Sequence, residues 1–200
     1  MTGVHDEAIK REILASIEAK QALLADAGLI GQIGVLAGDC LAVLRASGKI
    51  IFAGNGGSFA DAQHLSAEFT SRFRFDRAPL ASVALGTNSS AMSAIGNDYG
   101  YEQVFARELE AIAKPGDVYI PITTSGNSSN ILTSIQKANE LGLRTVCLTG
   151  ASGGKAMAMC RCLCMPSIET ARIQECHIMV GHILCGLLEN MMFCVPAETN

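Results

Sequence analysis

The chain has 200 residues, 49% hydrophobic and 17% charged, which is enough apolar material for a well-buried globular core and too much for a disordered segment. A net charge of −4 without any Lys/Arg cluster excludes a nucleic-acid surface, because backbone phosphates require concentrated positive charge; an anionic ligand must be held locally, by helix ends and hydroxyls. Eight cysteines follow a start, residues 1–7, with no positive region and apolar core of a secretory signal, so reduced thiols and a cytoplasmic location are expected.

In chain order, Ile9, Ile13, Ile17 and Leu24 recur at near-helical spacing, with Lys10, Arg11, Glu18 and Gln21 on a polar side. This predicts an amphipathic helix. Residues 29–45 repeat the pattern with Ile33, Leu36, Leu41 and Leu44. The two helices, within residues 1–47, offer apolar faces to the core or to a partner subunit. Strands are predicted at residues 49–53, 81–85, 117–122, 144–148 and 161–165, with helical patterns between most of them. Such alternation implies five parallel strands joined by crossover helices, an α/β sheet with helices on both faces. No linker divides residues 48–200, so the chain reads as one domain of 1–200. Cys160, Cys162 and Cys164 alternate along the last strand, on one face and away from Cys-x-x-Cys spacing, and read as small buried apolar groups. The apolar stretch 178–195 contains His182, Glu189 and Asn190, so a buried or oligomer-forming helix is expected there rather than a membrane span.

Three segments carry candidate chemistry. After the first strand, Gly54-Asn55-Gly56-Gly57-Ser58 makes a glycine-rich turn into a helix, whose free backbone amides can hold an anion. On that helix His64 and Glu68 stand one turn apart, a spacing that fits either a shared metal ion or a solvated pair. After the third strand, Thr123-Thr124-Ser125-Gly126-Asn127-Ser128 gathers hydroxyls at a helix start, suited to a phosphate or to an ordinary helix cap. In the last helix Gln174 and His182 flank Ile178, so both can face one cleft, while His177 is displaced around the helix. Spacing does not say whether the two helices meet.

The segments Gly54-Asn55-Gly56-Gly57-Ser58, Asp61-Ala62-Gln63-His64, Ala94-Ile95-Gly96-Asn97-Asp98-Tyr99-Gly100, Thr124-Ser125-Gly126-Asn127-Ser128 and Arg172-Ile173-Gln174-Glu175 resemble those of phosphoheptose isomerases, in the same order over nearly the whole chain. These are members of the sugar isomerase (SIS) family. The resemblance implies a flavodoxin-like parallel sheet, a homotetramer with active sites at subunit interfaces, and one zinc ion per subunit on His64, Glu68, Gln174 and His182. It further implies that the sugar phosphate sits on Thr123, Thr124, Ser125 and Ser128, with Asn55, Gly56, Gly57, Ser58, Glu68, Asn97, Asp98 and Gln174 lining the substrate. The implied reaction converts sedoheptulose 7-phosphate to D-glycero-D-manno-heptose 7-phosphate through an enediol, with Glu68 as base and His182 as acid. A ligand bond to zinc would lower the basicity of Glu68, so its two implied roles compete. Many relatives carry aspartate where this chain has Asn88, and some where it has Ala171. The alternatives are a non-catalytic SIS interaction module, like the replication-initiator-associating proteins, and a sugar-phosphate-sensing domain of a regulator. A binding scaffold has no chemical need for Glu68, Gln174 and His182 together.

Overall fold

A computed structural model describes residues 5–194; residues 1–4 and 195–200 lie outside them, including Val195, the end of the predicted last apolar stretch. Two helices open the chain, α1 (Asp6–Ala25) and α2 (Ala27–Arg45), parted by Asp26, whose side chain accepts the amide of Leu29 at 2.9 Å and caps α2. The strands follow as β1 (Ile50–Gly54), β2 (Ser82–Ala84), β3 (Val118–Ile122), β4 (Arg144–Thr149) and β5 (Arg161–Cys164). Between and after them lie α3 (Gly57–Thr70), α4 (Ser89–Tyr99), α5 (Val104–Ile112), α6 (Ser129–Glu140) and α7 (Thr170–Phe193). All five predicted strands are present within a residue or so of their expected ends.

The sheet is wholly parallel in the order β2-β1-β3-β4-β5. Alternate strand residues feed two cores, as the pleat requires. Ile50, Phe52, Val118, Ile120, Ile122, Val146 and Leu148 face α1, α2, α3 and α7, while Ile51, Ala53, Tyr119 and Cys147 face α5 and α6. Cys162 lies opposite Cys147 on the neighbouring strand and packs with Cys160 against the second core, but both are half-buried rather than buried, and Cys164, also half-buried, meets Thr149 and Met157 instead. At the amino ends of the strands the buried Asp117 accepts bonds from the Lys49 amide (3.0 Å), the Lys49 ammonium (2.6 Å) and the Lys114 amide (2.8 Å), tying β1 to β3.

Two helices, α2 and α7, are long and apolar enough to cross a membrane by length and composition alone. Their apolar residues are instead used on the sheet: Ile33, Leu36 and Val43 of α2 and Ile173, Val180, Leu184 and Leu188 of α7 are buried in the first core. The predicted apolar stripe of α1 does not reach that core. Ala19 and Leu23 make the buried contacts, whereas Ile9, Ile13, Ile17 and Leu24 are 44–72% exposed, on the side turned away from the sheet.

The feature of the fold that bears most on the site is the packing of α3 on α7. Gly57 meets Gln174, Leu65 meets Gly181, and Phe73 and Arg74 just beyond α3 meet Gly186, so the two helices run parallel in close register. A Cβ on Gly181 would stand 2.5 Å from both methyl carbons of the fully buried Leu65, well inside van der Waals contact. The glycine sets how near the helices come. Gly181→Ala should therefore overpack the interface and lower unfolding free energy by about 1–3 kcal/mol in denaturant titrations, with partial recovery in Gly181→Ala/Leu65→Val. An unchanged midpoint would mean that α7 is free to move outward.

Candidate active site

In this strand order the chain switches direction between β1 and β3, and ligand crevices in open α/β sheets lie outside the carboxyl ends of the strands at such a point. The chain leaves β1 at Gly54 toward α3 on one face and leaves β3 at Ile122 toward α6 on the other. The two loops predicted from sequence face each other there. Their link is a reciprocal amide pair: Asn55 Nδ2 donates to Asn130 Oδ1 and Asn130 Nδ2 to Asn55 Oδ1, each at 2.9 Å. The Tyr101 hydroxyl donates a further bond to Asn55 Oδ1 at 3.2 Å. The turn itself needs its glycines: Gly56 has φ +56, and a Cβ on Gly54 would strike the carbonyl of Ser58, which is buried beneath it.

In the second loop the cap reading of the sequence does not apply, since Ser128 occupies the N-cap of α6 without a side-chain capping bond and its hydroxyl turns toward that of Thr123, 3.4 Å away. The loop is buttressed from the segment after β4. Gly126, at φ +65, lies so close to the Gly153 carbonyl that no side chain fits, its own carbonyl accepts the Ala156 amide at 3.1 Å, and Asn127 Oδ1 accepts the Lys155 amide at 3.0 Å. A cavity of about 240 Å³ opens beside it, lined by Thr124, Ser125, Asn127, Ser152, Ser167 and Thr170 among others. Neutral donors and the start of α7 surround this space, the kind of setting in which an anion is held without a lysine. Ser152, Ser167 and Thr170 escaped the sequence reading because they come from different segments.

His64 and His182 meet across the α3–α7 contact. Their Nε2 atoms are 2.8 Å apart, the rings crossing at 80°, and Glu68 Oε1 lies 3.5 Å from His64 Nε2. Two imidazole nitrogens so close must share one proton or one cation. Two nitrogens on a tetrahedral zinc are about 3.3 Å apart, so this pair and the adjoining carboxylate form a nitrogen–oxygen donor set of the right kind for that ion. Among the described residues no group of three His, Cys, Asp or Glu side chains is arranged to hold a metal ion, so His64, His182 and Glu68 would have to shift to close on zinc. Gln174 sits eight residues before His182, about 12 Å back along α7, with its amide against Gly57 and not against the imidazoles. Asp61, one turn before His64, has its carboxyl pushed up by burial and partly restored by His64.

The Phe73 ring stacks on His182 at 5.6 Å between centroids and 22° between planes. Sequence reading missed this residue, which stands in a polar loop with arginines on both sides. Asn97 and Asp98, at the exposed end of α4, hydrogen-bond to each other at 2.8 Å and to neither loop. Asn88 caps α4 by accepting the Ala91 amide at 3.1 Å, which asparagine does as well as aspartate, and Ala171 lies exposed in the first turn of α7. In the Arg172-Ile173-Gln174-Glu175 segment, Arg172 and Glu175 pair at 2.9 Å, and Glu175 also takes Lys20 of α1 at 3.2 Å. Ser16 and then Lys20 hold the Glu175 carboxyl below the usual range. The outer members of that segment thus dock α1, and only Gln174 faces the glycine turn.

With this geometry in view, the chain belongs to the SIS domain family, whose pattern it matches over residues 10–150. A phosphoheptose isomerase of Aneurinibacillus thermoaerophilus is 51% identical over 186 residues, spanning 92% of this chain and 94% of the relative. Among solved structures, a phosphoheptose isomerase from Francisella tularensis superposes with a TM-score of 0.88 at 33% identity, covering 95% of this chain and all of its own. That of Neisseria gonorrhoeae gives 0.86 at 40% identity, covering 92% and 98%.

His177 belongs to the core and not to the site. It is fully buried and its Nε2–H donates to the Thr149 carbonyl at 3.1 Å, leaving Nδ1 without a partner. Burial pushes its pKa down to about 4, against the opposing effect of the Thr149 bond. The unfolded chain, with an ordinary imidazole near 6.5, then binds more protons than the folded one between those values. Stability from this residue is present above pH 6.5 and is lost toward pH 4, by roughly 3 kcal/mol in all. Urea unfolding from pH 7 to pH 4.5 should show a steeper decline in the wild type than in His177→Gln; parallel declines would remove His177 as the source.

Proposed function

We propose that this protein is a phosphoheptose isomerase that converts sedoheptulose 7-phosphate to D-glycero-D-manno-heptose 7-phosphate for bacterial heptose synthesis. The observation that carries this reading is the convergence of His64, Glu68 and His182 beside the β1/β3 crevice, in a chain 51% identical over 92% of its length to an enzyme of that name. The phosphate is held by Thr123, Thr124, Ser125 and Ser128, and by the helix start behind them. Asn55, Gly56, Gly57, Ser58 and Gln174 line the sugar, and Asn97 and Asp98 meet it from α4.

The chemistry moves a carbonyl from C2 to C1. Glu68 takes a proton from C1 while His182 protonates the oxygen at C2, giving the enediol; Glu68 then returns its proton to C2 as the C1 hydroxyl gives its own to His182, and the aldehyde forms with both residues restored. His64, Glu68 and His182 would hold one zinc ion per subunit, which when bound supplies positive charge that polarises the substrate oxygens, while Gln174 stays at the glycine turn. At 3.5 Å from His64, Glu68 lies outside hydrogen-bonding contact with the imidazole pair, consistent with a carboxylate that serves as base. An interaction module has no use for this set, and no observation favours that alternative.

The assembly is a homotetramer in the cytoplasm, with substrate as its small-molecule partner. Support comes from the exposed apolar stripe Ile9, Ile13, Leu14 and Ile17 of α1, and from Ile183 and Leu187 of α7, each 38–55% exposed. In light scattering, Ile13→Glu/Ile17→Glu should yield smaller species than the wild type; a tetramer in both would show that α1 does not form the interface.

Pure protein supplied with zinc should turn sedoheptulose 7-phosphate into an aldose phosphate. Glu68→Gln and His182→Ala should each lose about 100-fold or more in kcat, and a chelator should lower activity. Absence of product from the wild type would sink the isomerase reading. Full activity in both variants would remove the assigned acid and base, and indifference to chelation the metal.

A further inference from the structure

A buried ion pair lies next to the site. Glu189 and Arg77 are paired at 3.1 Å with side chains 1% and 2% exposed. Glu189 sits two turns beyond His182, on the same side of α7, and Arg77 lies in the loop after α3. Burial of two charges is costly unless every donor and acceptor is used, and here they are. Glu189 accepts the backbone amides of Phe73 at 3.0 Å and Arg74 at 2.8 Å, as well as Arg77 Nε. Burial alone would push its carboxyl up, but these three N–H groups outweigh that and hold it below the usual range. Arg77 spends its remaining donors on the carbonyls of Glu68 (2.8 Å), Phe69 (2.8 Å), Ser71 (3.2 Å) and Ala78 (3.0 Å). Two of these carbonyls belong to the last turn of α3, which a helix cannot satisfy by itself.

We infer that Arg77 and Glu189 are positioning residues for the imidazole pair and Glu68, acting through Phe73. The pair fixes two things together. Arg77 holds the turn of α3 that carries Glu68, and Glu189 holds the Phe73 backbone so that the ring lies flat on His182. Gly186 lies directly beneath both side chains, where a Cβ would come 3.3 Å from the Arg74 guanidinium carbon and 3.5 Å from the Phe73 ring. With one face covered by Phe73 and its Nε2 aimed at His64, His182 has little rotational freedom left. A hydrophobic pair of the same volume would hold the loop in place but would leave the amides of Phe73 and Arg74 and the carbonyl of Glu68 without partners, whereas Phe69 would keep the Leu80 amide; this is a physical reason for an ion pair here.

This inference rests on the isomerase reading for its kinetic consequence but not for its structural one, and the test separates them. The variants are Glu189→Gln, Arg77→Lys and Phe73→Leu, with Phe73→Tyr as the conservative control. Hydrogen exchange on the intact protein reads the brace directly: the amides of Phe73 and Arg74 should exchange at least tenfold faster in Glu189→Gln while core strand amides remain protected. Titration with cobalt(II), followed by its visible absorption, reads the imidazole pair without any turnover, and affinity should fall about 10–100-fold in Phe73→Leu and Glu189→Gln. Turnover should show kcat reduced about 10–100-fold with KM changed less than threefold, and recovery in Phe73→Tyr. Unchanged exchange at Phe73 and Arg74, or unchanged cobalt affinity in Phe73→Leu, would overturn the inference even if the enzyme is an isomerase. A wild type inactive on the sugar phosphate would overturn only the isomerase reading, since exchange and cobalt binding still decide the brace.

Discussion

The close parallel contact of α3 with α7 is the constraint on which the site depends. It is made possible by Gly181, which lets Leu65 press into the surface of α7, and the neighbouring residues His64 and His182 are thereby carried to 2.8 Å. A side chain at that position would clash with Leu65 and press the two helices, and the imidazoles they carry, apart. The register is equally important, because one residue of slip on a helix turns a side chain by about 100°. Gln174 against Gly57 and Gly186 beneath Phe73 and Arg74 pin the same register at both ends of the contact.

Around this contact the fold gathers two separate sets of polar groups. The Ser/Thr loop after β3 and the start of α7 form a region of neutral donors, while the imidazoles and Glu68 lie farther along α3 and α7. The Asn55–Asn130 amide pair couples the two loops, so the glycine turn is held relative to the hydroxyls of the other loop. This division suits a phosphorylated substrate whose reacting carbons are at the far end of the chain from its phosphate. On the proposed function, backbone and hydroxyl donors would hold the phosphate in place of lysines, which leaves the net charge free to be negative.

Much of the fold was legible in the residues. The five strands are short apolar runs at regular spacing, and Gly, Pro and Asn mark their ends; that pattern survives in the structure because strands buried on both faces have no polar alternative. The stripe on α1 was legible as helical, but not where it points, since periodicity gives a face without saying what covers it. Ser128 illustrates the opposite case. Its position before α6 suited either a phosphate or an ordinary cap, and its hydroxyl makes no capping bond and is turned to Thr123. Phe73, Arg77 and Glu189 were not legible at all: a loop arginine and a glutamate more than a hundred residues later carry no mutual spacing signal.

By itself the sequence determined the kinds of groups available and their local rows: a glycine turn into a helix with His64 and Glu68 one turn apart, hydroxyls at a strand end, and Gln174 and His182 on a final helix. Each of these follows from chain geometry within a few residues. Only the tertiary structure decided which rows meet. It joined His64 to His182 and left Gln174 with Gly57, sent His177 into the core, and laid Phe73 over His182. Helical spacing fixes a residue's place on its own cylinder, whereas the distance between cylinders is set by what packs in the groove, and here that is the missing side chain of Gly181.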